Sequence, residues 1–296
     1  MLPVGLLLVL AAPLPVAAPE RPPAPILGGT VVDPGAWPEV VAMTYGPSIC
    51  TGTLVSDRVV LTAAHCIVSA AGWPKSVRFG DDVGVPGTRA IAVERVGSHP
   101  DYCSDLMTCK WDVWDYGYLV LAEPVTDIAP ARPLREQDEW DETMAVGGVV
   151  TLVGYGLNEA GVTRIKRQVD APIVRFSPTG FEFRAGGEGI DSCSGDSGGP
   201  AFVTLASGEV RLAGVTSRGS DPCGKGGYYG IPAAVLCWLH DETGVDLREP
   251  SCGTCDCLDT TPAEPSRCGC RADGPAGSWL ALLLLCGTRR RGARVR

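Results

Sequence analysis

Short apolar runs recur between Ile26 and about Leu247, and Gly, Pro and Asp residues separate them. β-Branched residues dominate the runs and turn residues bound them, which is the pattern of β-strands. One segment, 233–239, has the composition of a helix, and Pro232 precedes it. The pattern predicts an all-β fold, either an antiparallel sandwich or a pair of barrels, with a helix near its end. The clearest predicted strands are 39–43, 58–61, 118–121, 148–153 and 210–215.

The composition agrees with this pattern and narrows the range of partners. With 296 residues the chain can bury one or two cores, and 38 glycines and 25 prolines suit a protein rich in turns. The net charge is -9, and five of the 25 basic residues are arginines in the last eight positions. Because the rest of the chain is more acidic still, it offers no basic surface for a phosphate backbone, and we predict no nucleic-acid partner.

The N-terminal end differs from the body. Residues 1–18 hold an apolar run followed by small residues, which predicts a secretory signal cleaved near Ala17 or Ala18. Residues 19–25 would then form a short propeptide. No lysine or arginine precedes the apolar run. Either the amino group supplies the positive charge of the signal, or the natural start lies upstream.

The C-terminal end combines a short apolar stretch with the arginine cluster, over 271–296. The stretch falls short of the ~20 residues of a spanning helix, so a removable sorting signal fits better than a permanent transmembrane helix. With Cys268 and Cys270 ahead of it, this tail resembles the C-terminal sorting tails of myxobacterial surface proteins, which are processed at a cysteine. The resemblance implies an extracellular protein that is attached to the cell surface and associates with the membrane through its tail.

The 13 cysteines of an exported chain predict disulfide bonds. Five of them crowd into 248–270, which we interpret as a cysteine-rich stalk, and Cys237 and Cys286 stand apart. A zinc site in the stalk is the alternative, but disulfides are favoured in a secreted chain, and we predict no metal and no cofactor. The others are spread through the body: Cys50, Cys66, Cys103, Cys109, Cys193 and Cys223.

The segment 191–200 carries the strongest chemical signal. It reads Asp-Ser-Cys-Ser-Gly-Asp-Ser-Gly-Gly-Pro, so Ser197 lies on a glycine-rich turn that a cysteine can fasten. Glycines on both sides let backbone N–H groups converge on one point, which an acyl-transfer enzyme needs beside its nucleophile. A turn without chemistry is the alternative for a bare Gly-Asp-Ser-Gly, and the longer run weakens that alternative.

A base and an orienting carboxylate for Ser197 occur upstream. His65 ends a strand-like run and is the natural base, since serine must lose its proton to attack at neutral pH. Among the carboxylates between these two residues, only Asp115 opens a buried-looking strand, where it could hold an imidazole. The other candidates are Asp101, Asp105 and Asp112.

With these residues the chain resembles the chymotrypsin/trypsin family of serine proteases over 26–247. The order His65, Asp115, Ser197 along the chain is the order of that family and differs from those of subtilisins and α/β-hydrolases. The resemblance implies two six-stranded antiparallel β-barrels followed by a C-terminal helix. Further matches are Ile-Leu-Gly-Gly at 26–29, Cys50 with Cys66, His-Pro-Asp-Tyr at 99–102, Val-Gly-Tyr-Gly at 153–156 and Trp238.

The resemblance also implies a role for each residue of the catalytic group. Ser197 attacks the carbonyl carbon, His65 takes its proton, and Asp115 orients the imidazole and stabilises its charged form. The backbone N–H groups of Gly195 and Ser197 would form the oxyanion hole.

Specificity, by the same resemblance, comes from Asp191, which matches the aspartate at the base of the trypsin pocket. A carboxylate there favours Arg or Lys before the cleaved bond, because the cation gains a charge-assisted hydrogen bond. A surface acid without this role is the alternative. The other implied pocket residues are Ser192, Ser217, Gly219 and Gly227. The implied disulfides are Cys50–Cys66, Cys193–Cys223 at the pocket and Cys103–Cys109 in a loop near the site entrance.

Activation is implied by the pairing of Asp196 with the amino group freed at Ile26. Pro25 precedes this point, although the predicted specificity requires Arg or Lys. The predicted zymogen therefore does not activate itself. Either another protease removes the propeptide, or trimming of 18–25 differs from the family pattern.

Two further departures concern Arg218 and Cys237. Arg218 stands where the family usually has a tryptophan that lines the substrate cleft. Its cation could repel basic groups of the substrate or reach Asp191. Cys237 has no regular counterpart in the family, and we expect it to bond to the stalk, with Cys252 as the candidate partner.

These observations together predict a secreted or surface-displayed serine endopeptidase that cleaves after Arg or Lys through an acyl-enzyme. The predicted partners are protein or peptide substrates and protease inhibitors. Two alternatives stay open. One is a protease-like binding module with weak catalysis, and the other is a protease with non-tryptic specificity because of Arg218.

Overall fold

The computed structural model describes residues 26–45, 48–68, 72–105, 108–157, 163–252 and 257–261. All of them fall in one compact unit, Met1–Pro262. The predicted signal, propeptide and C-terminal segment lie outside the described residues, and so does part of the predicted stalk. Within the described ranges, none of the helices has the length and apolar character needed to cross a membrane.

Strands dominate the described residues, and helices are short and few. The strands are β1 Thr30–Val31, β2 Val40–Tyr45, β3 Ser48–Leu54, β4 Val59–Thr62, β5 Ser76–Arg78, β6 Ala90–Ser98, β7 Gly117–Leu121, β8 Val149–Gly154, β9 Arg167–Phe176, β10 Glu182–Ala185, β11 Pro200–Thr204, β12 Val210–Arg218 and β13 Gly227–Gly230. The helices are α1 Gln137–Thr143 and α2 Leu236–Thr243, and 3-10 turns span Ala64–Cys66 and Pro232–Val235.

The strands form two closed antiparallel barrels. The first barrel runs β2-β3-β4-β7-β6-β5, and every neighbouring pair is antiparallel. The second runs β9-β10-β13-β12-β11-β8 and closes through the pairing of β8 with β9, while the short β1 adds to the outside of β9. The predicted fold class, two six-stranded antiparallel barrels with a C-terminal helix, is confirmed.

Side-chain alternation explains how each barrel is filled. β9 buries Val169, Ala171 and Ile173 and turns the residues between them outward, as the period of two requires. β4 is buried throughout because it lies against both the interior of the first barrel and the second barrel. A separate apolar cluster, which includes Leu61, Tyr155 and Leu212, contains residues from both barrels and packs one against the other.

The helix predicted at 233–239 is confirmed in position, but its first part is a 3-10 turn and only its second part is α-helical. A 3-10 turn, Pro232–Val235, leads into α2, which ends where Gly244 takes the left-handed conformation (φ +77°). The helix α1 has no counterpart among the sequence predictions. Trp140 is its one buried residue, so α1 lacks the apolar period that identifies a helix in a sequence.

The partner suggested for Cys237 is wrong, whereas its bond to the stalk stays a prediction. Cys252 is disulfide-bonded to Cys257, and Cys237 belongs to a different disulfide. Cys252 lies in a turn that its own N–H closes onto the Glu249 carbonyl (3.0 Å). A bond across five positions closes a short loop at little entropic cost, and this favours the near neighbour over a residue in the body.

Candidate active site

The first barrel brings His65 and Asp115 together. His65 lies in the 3-10 turn that follows β4, and Asp115 precedes β7 by two residues. Because β4 pairs with β7 through Thr62 and Gly117, the two side chains emerge side by side at the same end of the barrel. Cys50 of β3 is disulfide-bonded to Cys66, and this fastens the turn that carries the histidine.

Asp115 holds the imidazole by several contacts. Its carboxylate accepts hydrogen bonds from the His65 backbone N–H (3.0 Å), from His65 Nδ1 (2.7 Å) and from the Ser217 hydroxyl (2.7 Å). The aspartate side chain is 6% exposed and the histidine side chain 33% exposed. Since an ionised carboxylate only accepts, the proton of a neutral His65 lies on Nδ1 and the lone pair on Nε2.

Ser197 comes from the second barrel and reaches this pair across the junction. It lies in the loop between β10 and β11, and its carbonyl accepts a hydrogen bond from the Thr51 N–H (2.9 Å) of the first barrel. The Cys66 sulfur lies 3.6 Å from the same carbonyl. Gly198 beside it donates to the Thr216 carbonyl (2.7 Å). The serine is therefore anchored next to the turn that carries His65.

Two backbone N–H groups of the serine loop, those of Gly195 and Ser197, are available as donors. The Ser194 carbonyl accepts a hydrogen bond from the Leu157 N–H (2.7 Å), and the Asp196 carbonyl accepts one from the Gly199 N–H (2.8 Å). In a trans peptide the N–H points opposite to the carbonyl, so the N–H groups of Gly195 and Ser197 point away from those contacts. Neither N–H has an acceptor within the described ranges. Gly195 takes φ +103°, which glycine adopts without strain.

Asp196 is buried, and its carboxylate accepts hydrogen bonds from the N–H groups of Gly156 and Cys193, both at 2.8 Å. Burial raises the pKa of Asp196 to about 6 against the lowering effect of these donors. A Cβ on Gly156 would come within 2.6 Å of the carboxylate, so this glycine is required by close approach. Ile26 is also buried, with 1% exposure.

A cavity of about 190 Å³ opens next to Ser197, and Ser192, Ser217, Arg218 and Gly219 are among its lining residues. Two loops of this wall, one between β10 and β11 and the other between β12 and β13, are joined by the disulfide Cys193–Cys223. Predicted pocket residues Asp191 and Gly227 do not line the cavity but are buried next to Ser192, and a Cβ on Gly227 would lie 3.1 Å from the Ser192 hydroxyl.

Asp191 is fully buried and only half satisfied. Its Oδ2 accepts from the N–H groups of Gly224 (2.8 Å) and Gly226 (3.0 Å), whereas Oδ1 is buried and has no hydrogen-bond partner in the described part of the chain. Burial raises the pKa of Asp191, and the backbone N–H donors oppose that rise. A buried carboxylate oxygen without a donor is costly, and an incoming cation would relieve the cost.

Arg218 does not reach Asp191. Its guanidinium forms a two-pronged ion pair with Glu182, at 2.9 and 2.8 Å, and lies 4.5 Å from the centre of the Tyr228 ring. The Glu182 side chain is 3% exposed and also accepts from the Val113 N–H (3.2 Å). Glu182 has no counterpart among the sequence predictions. The available signal was a carboxylate between Phe181 and Phe183, where an acid facing inward needs a partner.

The ligand atoms of Cys50, His65 and Cys66 lie within 4.8 Å of one another, a spacing that could hold a metal ion. Both sulfurs are joined to each other in a disulfide, so neither can act as a thiolate ligand. Cys103 and Cys109 are also joined, and they close the loop that precedes Asp115.

A double barrel with a buried aspartate–histidine pair in one half and a serine turn in the other defines the chymotrypsin-like class of proteins. The model of the Trypsin family matches residues 26–237. This chain belongs to the trypsin family of serine proteases.

Relatives include serine protease 56 of Homo sapiens, 33% identical over 255 residues that cover 77% of this chain and 40% of the relative. Phenoloxidase-activating factor 3 of Holotrichia diomphalia is 29% identical, with 74% of this chain and 73% of the relative covered. Ovochymase-2 of Mus musculus is 31% identical, with 68% and 36% covered. The chain thus spans well under half the length of serine protease 56.

Proposed function

We propose that this protein is a serine endopeptidase that hydrolyses peptide bonds after Arg or Lys. The observation that carries the proposal is the hydrogen-bonded series from Ser217 through Asp115 to His65, set beside Ser197 at the junction of the barrels. The free lone pair on His65 Nε2 is the site that a serine proton needs. The protease-like binding module remains an alternative, and loss of one of these residues would have favoured it.

The residues act in sequence. As the Ser197 Oγ attacks the substrate carbonyl carbon, its proton passes to His65 Nε2, and Asp115 stabilises the imidazolium that forms. The N–H groups of Gly195 and Ser197 donate to the oxygen that becomes negative. Collapse of this intermediate breaks the C–N bond, and His65 returns the proton to the leaving amine. Water then hydrolyses the acyl-enzyme by the same steps.

Specificity for Arg or Lys rests on Asp191. A long cationic side chain that enters the cavity past Ser192 and Gly219 would give the unpartnered Oδ1 of Asp191 a charge-assisted hydrogen bond. The ion pair with Glu182 supports this specificity over the non-tryptic alternative, because it holds the charge of Arg218 away from Asp191.

Activation and location complete the proposal. Release of the Ile26 amino group would place a cation near the buried Asp196, and Pro25 requires that a protease of another specificity make the cut. The leader and the tail point to export and to attachment at the cell surface, where protein substrates and inhibitors are the partners.

The test uses the processed protein, Ser197→Ala and Asp191→Ser on peptides that differ only in the residue before the cleaved bond. Ser197→Ala is expected to lower kcat at least about 10⁴-fold for every peptide. Asp191→Ser is expected to lower kcat/KM about 10²-fold or more for Arg and Lys peptides only. Hydrolysis that survives in Ser197→Ala would overturn the enzyme assignment. Wild-type cleavage that ignores Arg and Lys would overturn the specificity alone.

A further inference from the structure

Three arginines and a tyrosine line up across four neighbouring strands of the second barrel. Arg175 of β9 is paired with Arg184 of β10, Arg184 is paired with Tyr228 of β13, and Tyr228 is paired with Arg218 of β12. Residues directly opposite each other on antiparallel strands project from the same face. We call Arg175, Arg184, Tyr228 and Arg218 the arginine row. Its Arg218 end lines the cavity beside Ser197.

Aromatic rings hold the guanidinium groups of the row. Those of Arg218 and Arg184 lie 4.5 and 5.9 Å from the Tyr228 ring centre. Arg175 lies 4.9 Å from the ring of Trp111 and donates to the Tyr228 hydroxyl (3.2 Å). Trp111 meets Tyr228 edge-on at 5.2 Å. Stacked guanidinium groups lose little freedom when they bind a carboxylate, because their planes are already fixed.

The charges of the row are not balanced. Like charges directly opposite on neighbouring strands destabilise a sheet, as Arg175 and Arg184 do here. Glu182 neutralises Arg218, but within the described ranges neither Arg175 nor Arg184 forms an ion pair. The Nε of Arg184 is buried and has no acceptor among those residues. An uncompensated pair of cations in a protein of net charge -9 points to an anionic ligand.

Other charges nearby do not cancel the row. Lys110 and Lys225 are exposed, and their carbonyls accept hydrogen bonds from Arg218 and Arg184 respectively, so two more cations flank it. Asp112 accepts from the Thr179 hydroxyl, and Asp221 lies at the cavity. Neither forms an ion pair with an arginine of the row.

We propose that the arginine row binds acidic residues of the substrate on the N-terminal side of the cleaved bond. The inference rests on the proposed function, since it requires a substrate residue in the cavity. In this binding mode the substrate chain leaves the cavity past Arg218 and runs over the row. Three strand spacings of ~4.8 Å make the row about 14 Å long, or about four extended residues. The preferred substrates therefore carry Asp or Glu from about the third to the sixth residue before the bond.

The experiment compares two peptides with the same Arg before the cleaved bond. One carries Glu, and the other Gln, at the third to sixth residues before the bond. At low salt, processed wild-type protein is expected to show about tenfold higher kcat/KM for the Glu peptide, mainly through KM, and 1 M NaCl should abolish the difference. The double variant Arg175→Gln/Arg184→Gln should lose the preference but cleave the Gln peptide at the wild-type rate.

The matched control is Arg132→Gln. The carbonyl of Arg132 accepts a hydrogen bond from Leu212, near the end of β12 opposite Arg218, so this arginine lies outside the row. The control variant should keep the preference for the Glu peptide. Equal cleavage of both peptides by wild-type protein overturns the inference and leaves the proposed function standing. Cleavage of neither peptide refutes the proposed function instead. The inactive variant Ser197→Ala allows binding to be measured without cleavage. If it bound dextran sulfate tightly but bound the Glu and Gln peptides equally well, the row would be a site for polyanions, and the proposal would be overturned.

Discussion

At the scale of single residues, Asp196 is a carboxylate that folding places in the protein interior with two backbone donors, and no cation in the described part of the chain lowers its pKa. Two factors compete there. Burial raises its pKa, the N–H groups of Gly156 and Cys193 lower it, and burial wins, at about 6. Under the proposed activation, the amino group released at Ile26 would bring a positive charge to this buried carboxylate.

The raised pKa of Asp196 predicts that the stability of the unprocessed chain depends on pH. Because the pKa of Asp196 is higher in the folded than in the unfolded state, the folded state keeps this proton up to a higher pH. Stability from this group therefore falls as pH rises from about 4 to about 6, by about 3 kcal/mol in total. Urea unfolding at a series of pH values measures it. Asp196→Asn should remove that part of the slope, and an unchanged slope would refute the assignment.

Arg218 shows what the sequence could and could not establish at this scale. Its position against the cleft follows from the serine–arginine–glycine order at 217–219. Its partner does not, because Glu182 is 36 positions away and meets it only through the order of strands β10, β13 and β12. Residue chemistry is readable one position at a time, whereas a buried ion pair depends on two positions and the register between them.

At the scale of elements, the predicted strands fall within one or two residues of β2, β4, β7, β8 and the start of β12. Their dense β-branched runs made them visible. The helix α1 was not visible, since one buried tryptophan among polar residues shows no period. The sequence indicated Asp115 only as the residue that opens a buried-looking strand. Its position beside His65 depends on the pairing of β4 with β7, which brings together residues 50 positions apart.

The disulfide Cys193–Cys223 yields a prediction for the pocket walls. It closes a loop of 30 residues, so Cys193→Ser/Cys223→Ser should lower the free energy of unfolding by about 3 to 4 kcal/mol. Gly224, next to Cys223, donates a hydrogen bond to Asp191, so loss of the disulfide should disturb the predicted specificity residue. The KM for a peptide with Arg before the cleaved bond and no other charged side chain should therefore rise as well. Urea unfolding and steady-state kinetics measure the two effects.

The double variant Cys103→Ser/Cys109→Ser is the matched control for that experiment. Its bond closes only 6 residues, so the expected loss is about 2 kcal/mol, with KM for the same peptide nearly unchanged. If both double variants raised KM equally, the bond between the walls would have no special part in shaping the pocket.

At the scale of the whole molecule, function depends on how the two barrels are held together. Tyr155 follows β8 in the second barrel, and its fully buried hydroxyl lies 3.0 Å from the Val40 carbonyl and 2.6 Å from the Gly80 carbonyl of the first. Its N–H donates to the Thr51 hydroxyl (3.2 Å), and that hydroxyl donates to the Gly195 carbonyl (2.9 Å). One residue thus connects the barrel junction to the serine loop.

We therefore expect Tyr155→Phe to lower the free energy of unfolding by about 1 to 3 kcal/mol, since buried carbonyls lose their donor. The kcat should fall with it, because His65 and Ser197 belong to different barrels. Urea unfolding and kinetics on one sample measure both. The control Tyr118→Phe should cost less, since its partners Arg95 and Glu242 are exposed. A loss no larger than that of the control would contradict the role of Tyr155.

The Arg218–Glu182 pair limits how this lineage can change. Replacing Arg218 alone by the tryptophan usual in the family would strand a buried carboxylate, at a cost of about 3 to 5 kcal/mol, and removing Glu182 alone would strand the cation. Either single change would lower the stability of the folded protein until a change at the partner position restored it. An alignment of homologous sequences should therefore show both residues or neither, and few sequences should carry only one.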